Sequence, residues 1–168
     1  MPYSVSLTTW QQLSAEQRAA VRQLSISPQQ VEYAGPTERA VALCEADQVG
    51  DIQGLAIFKG QQITGFLLLK RGAQAPEWAP AGAVTISGLR IDQTFQGQGI
   101  GTQALHAVKD WVQCHWPEVA QLILAVDEDN AAGIRAYLKA GWNDLGVRML
   151  GRIGGERQMA MPLANSAQ

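Results

Sequence analysis

Three glycines at alternate positions mark the stretch of this chain best suited to chemistry, Gln96-Gly97-Gln98-Gly99-Ile100-Gly101-Thr102. A turn that opens a helix exposes peptide N–H groups with no partner inside the helix. The helix dipole adds partial positive charge at the same place. Glycine removes the Cβ atoms that would hold an anion away from those groups. The residue types therefore predict a cradle for a pyrophosphate. A tight strand-to-helix connection without a ligand would use the same residues.

Two better-known phosphate loops fit poorly. The Walker form wants four residues between its glycines, then Lys-Ser or Lys-Thr, and the first lysine after this turn is Lys109. A dinucleotide fingerprint wants glycine where Thr102 stands. Asp127 would serve as its acidic residue at the end of the next strand, so that alternative stays open.

The elements that must position the turn read clearly on both sides. Val84 to Ile91 is β-branched and apolar enough for a buried strand. Ile100, Ala104, Leu105, Val108, Trp111 and Val112 recur every three or four residues, which predicts a helix with one buried face. Gln121 to Val126 predicts another buried strand, so this strand–helix–strand unit implies a parallel pair with a right-handed crossover. Asn130 can cap a helix over Ala131 to Ala140 that Gly141 ends.

Upstream, Tyr3 to Leu7 alternates like a short strand. Thr8 or Thr9 can cap a helix carrying Trp10, Leu13, Ala20, Val21 and Leu24, broken near Ser14 and interrupted at Ser27-Pro28. A further helix fits Thr37 to Ala46. Gly54 to Phe58 and Ile63 to Lys70 read as a hairpin turning at Lys59 to Gln62, and Gly72 to Gly82 as an irregular loop. A closing hairpin is expected over Asp144 to Leu150 and Gln158 to Leu163, turning at Gly151 to Gly155. Hairpins beside a parallel pair require a mixed sheet.

With 168 residues, 46% of them hydrophobic, the chain is expected to form one domain over 1–168 with a sizeable core. A net charge of −2 and no basic run longer than Lys70-Arg71 argue against nucleic acid as a partner. Cys44 and Cys114 have no paired spacing and read as small buried apolar side chains. His106 and His115 have no carboxylate at ligand spacing, so no metal site is expected. The first ten residues lack the pattern of a secretory signal, and no apolar run approaches the roughly 20 residues that cross a bilayer. A cytoplasmic protein without a membrane partner is the expectation.

Two segments carry a resemblance to the GNAT superfamily of acyl-CoA N-acyltransferases. Leu89-Arg-Ile-Asp-Gln-Thr-Phe-Gln96-Gly-Gln-Gly-Ile-Gly101-Thr102-Gln-Ala-Leu105 is similar to that family's strand and Gln/Arg-x-x-Gly-x-Gly/Ala turn. Val126-Asp-Glu-Asp-Asn130-Ala-Ala-Gly-Ile-Arg-Ala-Tyr137-Leu-Lys-Ala-Gly141-Trp142 resembles its asparagine, its tyrosine seven residues on, and the glycine and aromatic that follow. The resemblance implies an α/β (α+β) fold: a mixed, mostly antiparallel central sheet, a splayed parallel pair and about four helices. It also implies acetyl-CoA as co-substrate, with its pyrophosphate on Gln96, Gly97, Gln98, Gly99, Ile100, Gly101 and Thr102. Its arm would pair with Leu89, Arg90 and Ile91, and Asn130 would cap its helix and touch the cofactor. The Ile91 N–H would face the thioester oxygen, and Tyr137 would donate a proton as sulfur leaves. Tyr137 as a plain core aromatic and Asn130 as a plain cap are the alternatives.

One departure concerns the proton acceptor. Relatives often place a carboxylate on the strand before the turn, where this chain has Thr85-Ile-Ser-Gly-Leu89. Water, a carboxylate from another segment, or amine already neutral in solution would have to serve. Ser27-Pro-Gln-Gln-Val-Glu-Tyr-Ala-Gly35 is similar to a stretch in bacterial polyamine acetyltransferases. The acceptor expected is thus a small primary amine, a polyamine first, with Glu32 and Glu38 available to pair with it. Amino acids, aminoglycosides, protein amino termini, a non-catalytic acyl-CoA sensor and a homodimer remain open.

Overall fold

The computed structural model describes residues 4–163. Seven strands form one sheet in the order β1-β2-β3-β4-β5-β7-β6. They are β1 (Val5–Thr9), β2 (Ile52–Lys59), β3 (Gln62–Lys70), β4 (Val84–Ile91), β5 (Gln121–Asp127), β6 (Asn143–Gly151) and β7 (Gly154–Pro162). Every neighbouring pair is antiparallel except β4 and β5. The α-helices are α1 (Ala15–Arg22), α2 (Pro28–Ala34), α3 (Thr37–Ala46), α4 (Ile100–His115) and α5 (Ala131–Lys139).

Both faces of the sheet centre are covered, and side-chain alternation divides its residues between two cores. Leu55, Ile57, Leu67 and Leu69 join Leu105, Val108 and Val112 of α4, with Trp142, on one face. Ala56, Phe58, Phe66 and Leu68 join Trp10, Leu13, Val21 and Val41 on the other, under α1 and α3. Among the described residues no helix is long and apolar enough to cross a membrane.

Two details of β4 set up the site. It pairs with β5 only through Val84↔Leu122 and Thr85↔Ile123, after which the two strands part. On its other side Phe66 faces Arg90 and Leu68 faces Ser87, so Leu67 alone opposes Gly88 and Leu89. That extra residue is a bulge, which bends a strand. Gly88 takes φ +63° there, a left-handed value that suits glycine.

The strand before the turn runs Val84–Ile91 as its pattern implies, and Gly99 enters α4 in the left-handed conformation. Several upstream expectations need correction. β1 extends through Thr9, and Ser14, not Thr8 or Thr9, caps α1 through a reciprocal capping box with Gln17. Tyr3, read as the first strand's start, lies outside the described residues. Ser27-Pro28 does not merely interrupt a helix but starts α2, with Ser27 as cap and Pro28 in the first turn. The last hairpin turns at Arg152 and Ile153, with Gly151 and Gly154 inside the strands. Cys44 is buried and Cys114 exposed, so only the first fits the reading as a core residue.

Candidate active site

The glycine turn is open to solvent, with Gln96, Gly97, Gln98 and Gly99 all exposed. Gly97 and Gly99 have φ +79° and +78°, which tips successive peptide groups outward. A Cβ added at Gly97 or Gly101 would meet nothing within 4 Å, and one at Gly99 only Gln103 Nε2 at 3.9 Å. The glycines therefore leave free space in front of the N–H groups. Gln96 anchors the turn from below: its Nε2 donates to Ile91 O at 3.0 Å and to Gln30 Oε1 at 2.7 Å. Lys59 Nζ donates to Gln98 Oε1 at 3.0 Å.

From the splay opens a cavity of about 370 Å³, lined across the gap by Ser87, Gly88 and Leu89 of β4 and by Ala125, Val126 and Asp127 of β5. Asp92 N–H donates to Thr64 O on the β3 side. Alternation along an extended strand then turns the Ile91 N–H the other way, toward the gap that β5 has left. An edge of this kind can receive an extended ligand as an added strand.

Tyr137 of α5 lines the same cavity and packs on Trp142 with ring centroids 5.8 Å apart. Its hydroxyl has no hydrogen-bond partner among the described residues, and burial pushes its pKa up to about 12. Asp127 is the one carboxylate among the described residues that line the cavity. Burial raises it above its usual range, Arg152 opposes the rise, and Glu32 and Asp129 add to it. Its cross-strand partner is Glu156, a carboxylate likewise raised by burial and then by Asp127.

An acetyltransferase (GNAT) family model matches residues 14–142. The chain belongs to the GNAT acetyltransferase family. No curated protein matches it. Among solved structures it is similar to the spermidine N-acetyltransferase of Vibrio cholerae in complex with CoA and spermine, at 12% identity, covering 98% of this chain and 99% of that one with TM-score 0.72. It is similar to an aminoglycoside acetyltransferase in complex with coenzyme A at 17% identity, 94% of each chain and TM-score 0.74. The Escherichia coli ribosomal-protein-S18-alanine N-acetyltransferase shares 18% identity over 95% of this chain and 94% of that one, with TM-score 0.63. At these identities the likeness is one of fold.

Within this GNAT fold, Tyr137 and Leu89 come together on the cavity, while the turn residues lie beyond the end of β4. Asn130 Oδ1 caps α5 by accepting from Gly133 N at 3.0 Å, and Asn130 does not line the cavity. Arg90 is a surprise of another kind. Its side chain is 1% exposed. It donates to Gly88 O at 2.8 Å, Ala34 O at 2.9 Å, Gly35 O at 2.8 Å and Thr37 Oγ1 at 3.1 Å, and burial lowers its pKa to about 10. Arg90 thus ties β4 to the end of α2. A Cβ at Gly88 would stand 2.7 Å from its Nη2, and with φ +63° a side chain at that point of the strand would be strained.

Sequence reasoning missed Asp127 as a cavity residue, since its only sequence signal was a position at the end of a strand. Glu32 and Glu38 do not line the cavity. Glu38 faces Arg22 at 3.6 Å on α1. Among the described residues no group of three His, Cys, Asp or Glu is placed to hold a metal.

Proposed function

We propose that residues 1–168 form a single N-acetyltransferase domain that moves an acetyl group from acetyl-CoA to a primary amine by direct transfer. The splay carries this reading: a strand edge with an outward N–H ends in a glycine cradle, beside a tyrosine hydroxyl that has no hydrogen-bond partner among the described residues. When bound, acetyl-CoA supplies an acetyl group already activated as a thioester. The free space before Gly97, Gly99 and Gly101 fits its pyrophosphate, held by peptide N–H groups from Gly97 to Thr102 with Gln96 fixing the turn. Backbone groups of Leu89, Arg90 and Ile91 suit its arm, and Asn130 borders it from the cap of α5.

The residues then divide the proton work. Only a neutral amine attacks, and a free amine with pKa near 10 is mostly protonated at pH 7. Asp127, desolvated and so more basic than an ordinary carboxylate, takes the amine's proton directly or through water. The Ile91 N–H stabilises the oxygen that gains negative charge. Tyr137 keeps its proton throughout the physiological range and holds it on Oη for a sulfur leaving group. A non-catalytic sensor would have no use for that unpartnered hydroxyl.

The acceptor is a small primary amine. Among structures of similar fold, one holds spermine, which keeps polyamines in the panel. Their residue-level support is weaker, because Glu32 and Glu38 lie outside the cavity. A thiol-release assay with acetyl-CoA against a panel of amines tests the reading. Amine-dependent release is expected, and no release with any amine would overturn it.

A further inference from the structure

The cavity is cationic inside an acidic protein. The described residues lining it include four cations, Arg39, Lys70, Arg90 and Arg152, and a single carboxylate, Asp127, although the chain's net charge is −2. Arg152 lies near enough to Asp127 to lower its pKa. The other three have no carboxylate partner among the described residues. Arg90 is held by carbonyls and a hydroxyl, so its charge is satisfied by dipoles and not neutralised. Lys70 is half-buried, and burial lowers its pKa, the mark of an ammonium that has lost water and gained no anion.

Lys70 is badly placed for the phosphates of acetyl-CoA. Lys70 pairs with Thr85 near the start of β4, whereas the glycine turn follows Ile91 at its end. The six steps along the strand from Thr85 to Ile91 span about 20 Å. The arm that bridges that distance is uncharged. The same cavity is lined by apolar and aromatic side chains, among them Tyr33, Leu43, Leu68 and Trp78. Asp127 lies four residues past the Thr85↔Ile123 pair, about 13 Å along β5, and two strand spacings, about 10 Å, from β3. The two backbone positions are thus about 16 Å apart, a span suited to an acceptor longer than a free α-amino acid.

We propose that the acceptor is a primary amine on an apolar or aromatic body of about dipeptide length that ends in a carboxylate. Its amine faces Asp127 and Tyr137, and its carboxylate is received by Lys70 and Arg39. This rests on the acetyltransfer reading above. A polyamine would instead bring two or more positive charges against these cations.

The test compares alanyl-phenylalanine with its C-terminal amide, which differ by one charge on the same body, alongside spermidine. Expected are a kcat/KM for the acid about tenfold or more above that for the amide, and spermidine slower than both. Lys70→Gln and Arg39→Gln should each shrink the acid-to-amide ratio, and Lys70→Arg should restore most of it. Calorimetric titration of the dipeptide onto protein saturated with CoA should show the same preference without turnover. A wild-type ratio near one, or spermidine as the best acceptor, overturns this inference and leaves acetyltransfer standing. A ratio that neither glutamine variant moves overturns the assignment to Lys70 and Arg39. No thiol release with any amine overturns both readings.

Discussion

The two ends of β4 were built in different ways. At the Ile91 end the proposed phosphate cradle comes from one run of residues, Gln96 to Thr102, at the start of α4. The cavity wall away from the turn is assembled from α3, the end of β3 and a long loop, through Arg39, Lys70 and Trp78. The first end presents backbone and the second presents side chains. A backbone site suits a ligand part that is always the same, whereas a side-chain site can be retuned by single substitutions. On the proposed assignment, the cofactor end should be intolerant of change and the acceptor end adjustable.

The strongest way to break that contrast lies at Gly99. Its φ of +78° is poor for any other residue, yet a Cβ there meets only a glutamine amide at 3.9 Å. Gly99→Glu should cost about 1–2 kcal/mol of stability while placing a carboxylate before the N–H groups that a phosphate needs. Calorimetry should then show a loss of acetyl-CoA affinity of about 1,000-fold or complete. Unchanged affinity would mean that the phosphate sits elsewhere.

Between the two ends, Arg90 fixes the bulge at Gly88 to the end of α2. Arg90→Met should leave the carbonyls of Ala34, Gly35 and Gly88 without their donor in a buried place. The expected loss is about 3 kcal/mol in denaturant unfolding. A variant as stable as the parent would show that α2 is held some other way.

What could be seen in the sequence follows the same division. The Val84–Ile91 strand, the turn and the apolar stripe of α4 are contiguous, so local pattern placed them where the structure has them. Tyr137 likewise lies on one short helix, with Asn130 as its cap and Gly141 just past its end. The acceptor wall gave no such signal. Lys70 looked like the end of a hairpin, Trp78 like loop filler, and Asp127 like a strand terminus. Only the β3–β4–β5 register brings them around one space. Pro28 misled for a related reason: a proline ends some helices and begins others, and Ser27 before it decides which.

Tyr137→Phe separates chemistry from binding. Removing the hydroxyl deletes a proton donor but no contact with the glycine turn, so kcat should fall about 100-fold with acetyl-CoA affinity nearly unchanged. The parent should show no loss of rate from tyrosine ionisation up to about pH 11, since the hydroxyl titrates at about 12. Full turnover in the variant, where chemistry limits the rate, would remove Tyr137 as the donor.

The smallest effect, and the one that most sharpens the contrast, belongs to Asp127. Its carboxyl is raised by burial and stands across from Glu156, so the folded protein prefers it protonated. A carboxyl whose folded pKa lies above its unfolded value favours folding at low pH. That contribution is lost as pH rises from near 4 through the raised value. At neutral pH the ionised group is therefore a liability to the fold. Asp127→Asn should raise the melting temperature at pH 7 by about 2 °C, and the gain should vanish toward pH 3. The same change should lower kcat/KM about tenfold at pH 7, with the deficit shrinking toward pH 9 as the amine loses its proton unaided. A variant that is both less stable and equally active would show Asp127 to be a structural residue, and the proton would then leave by water alone.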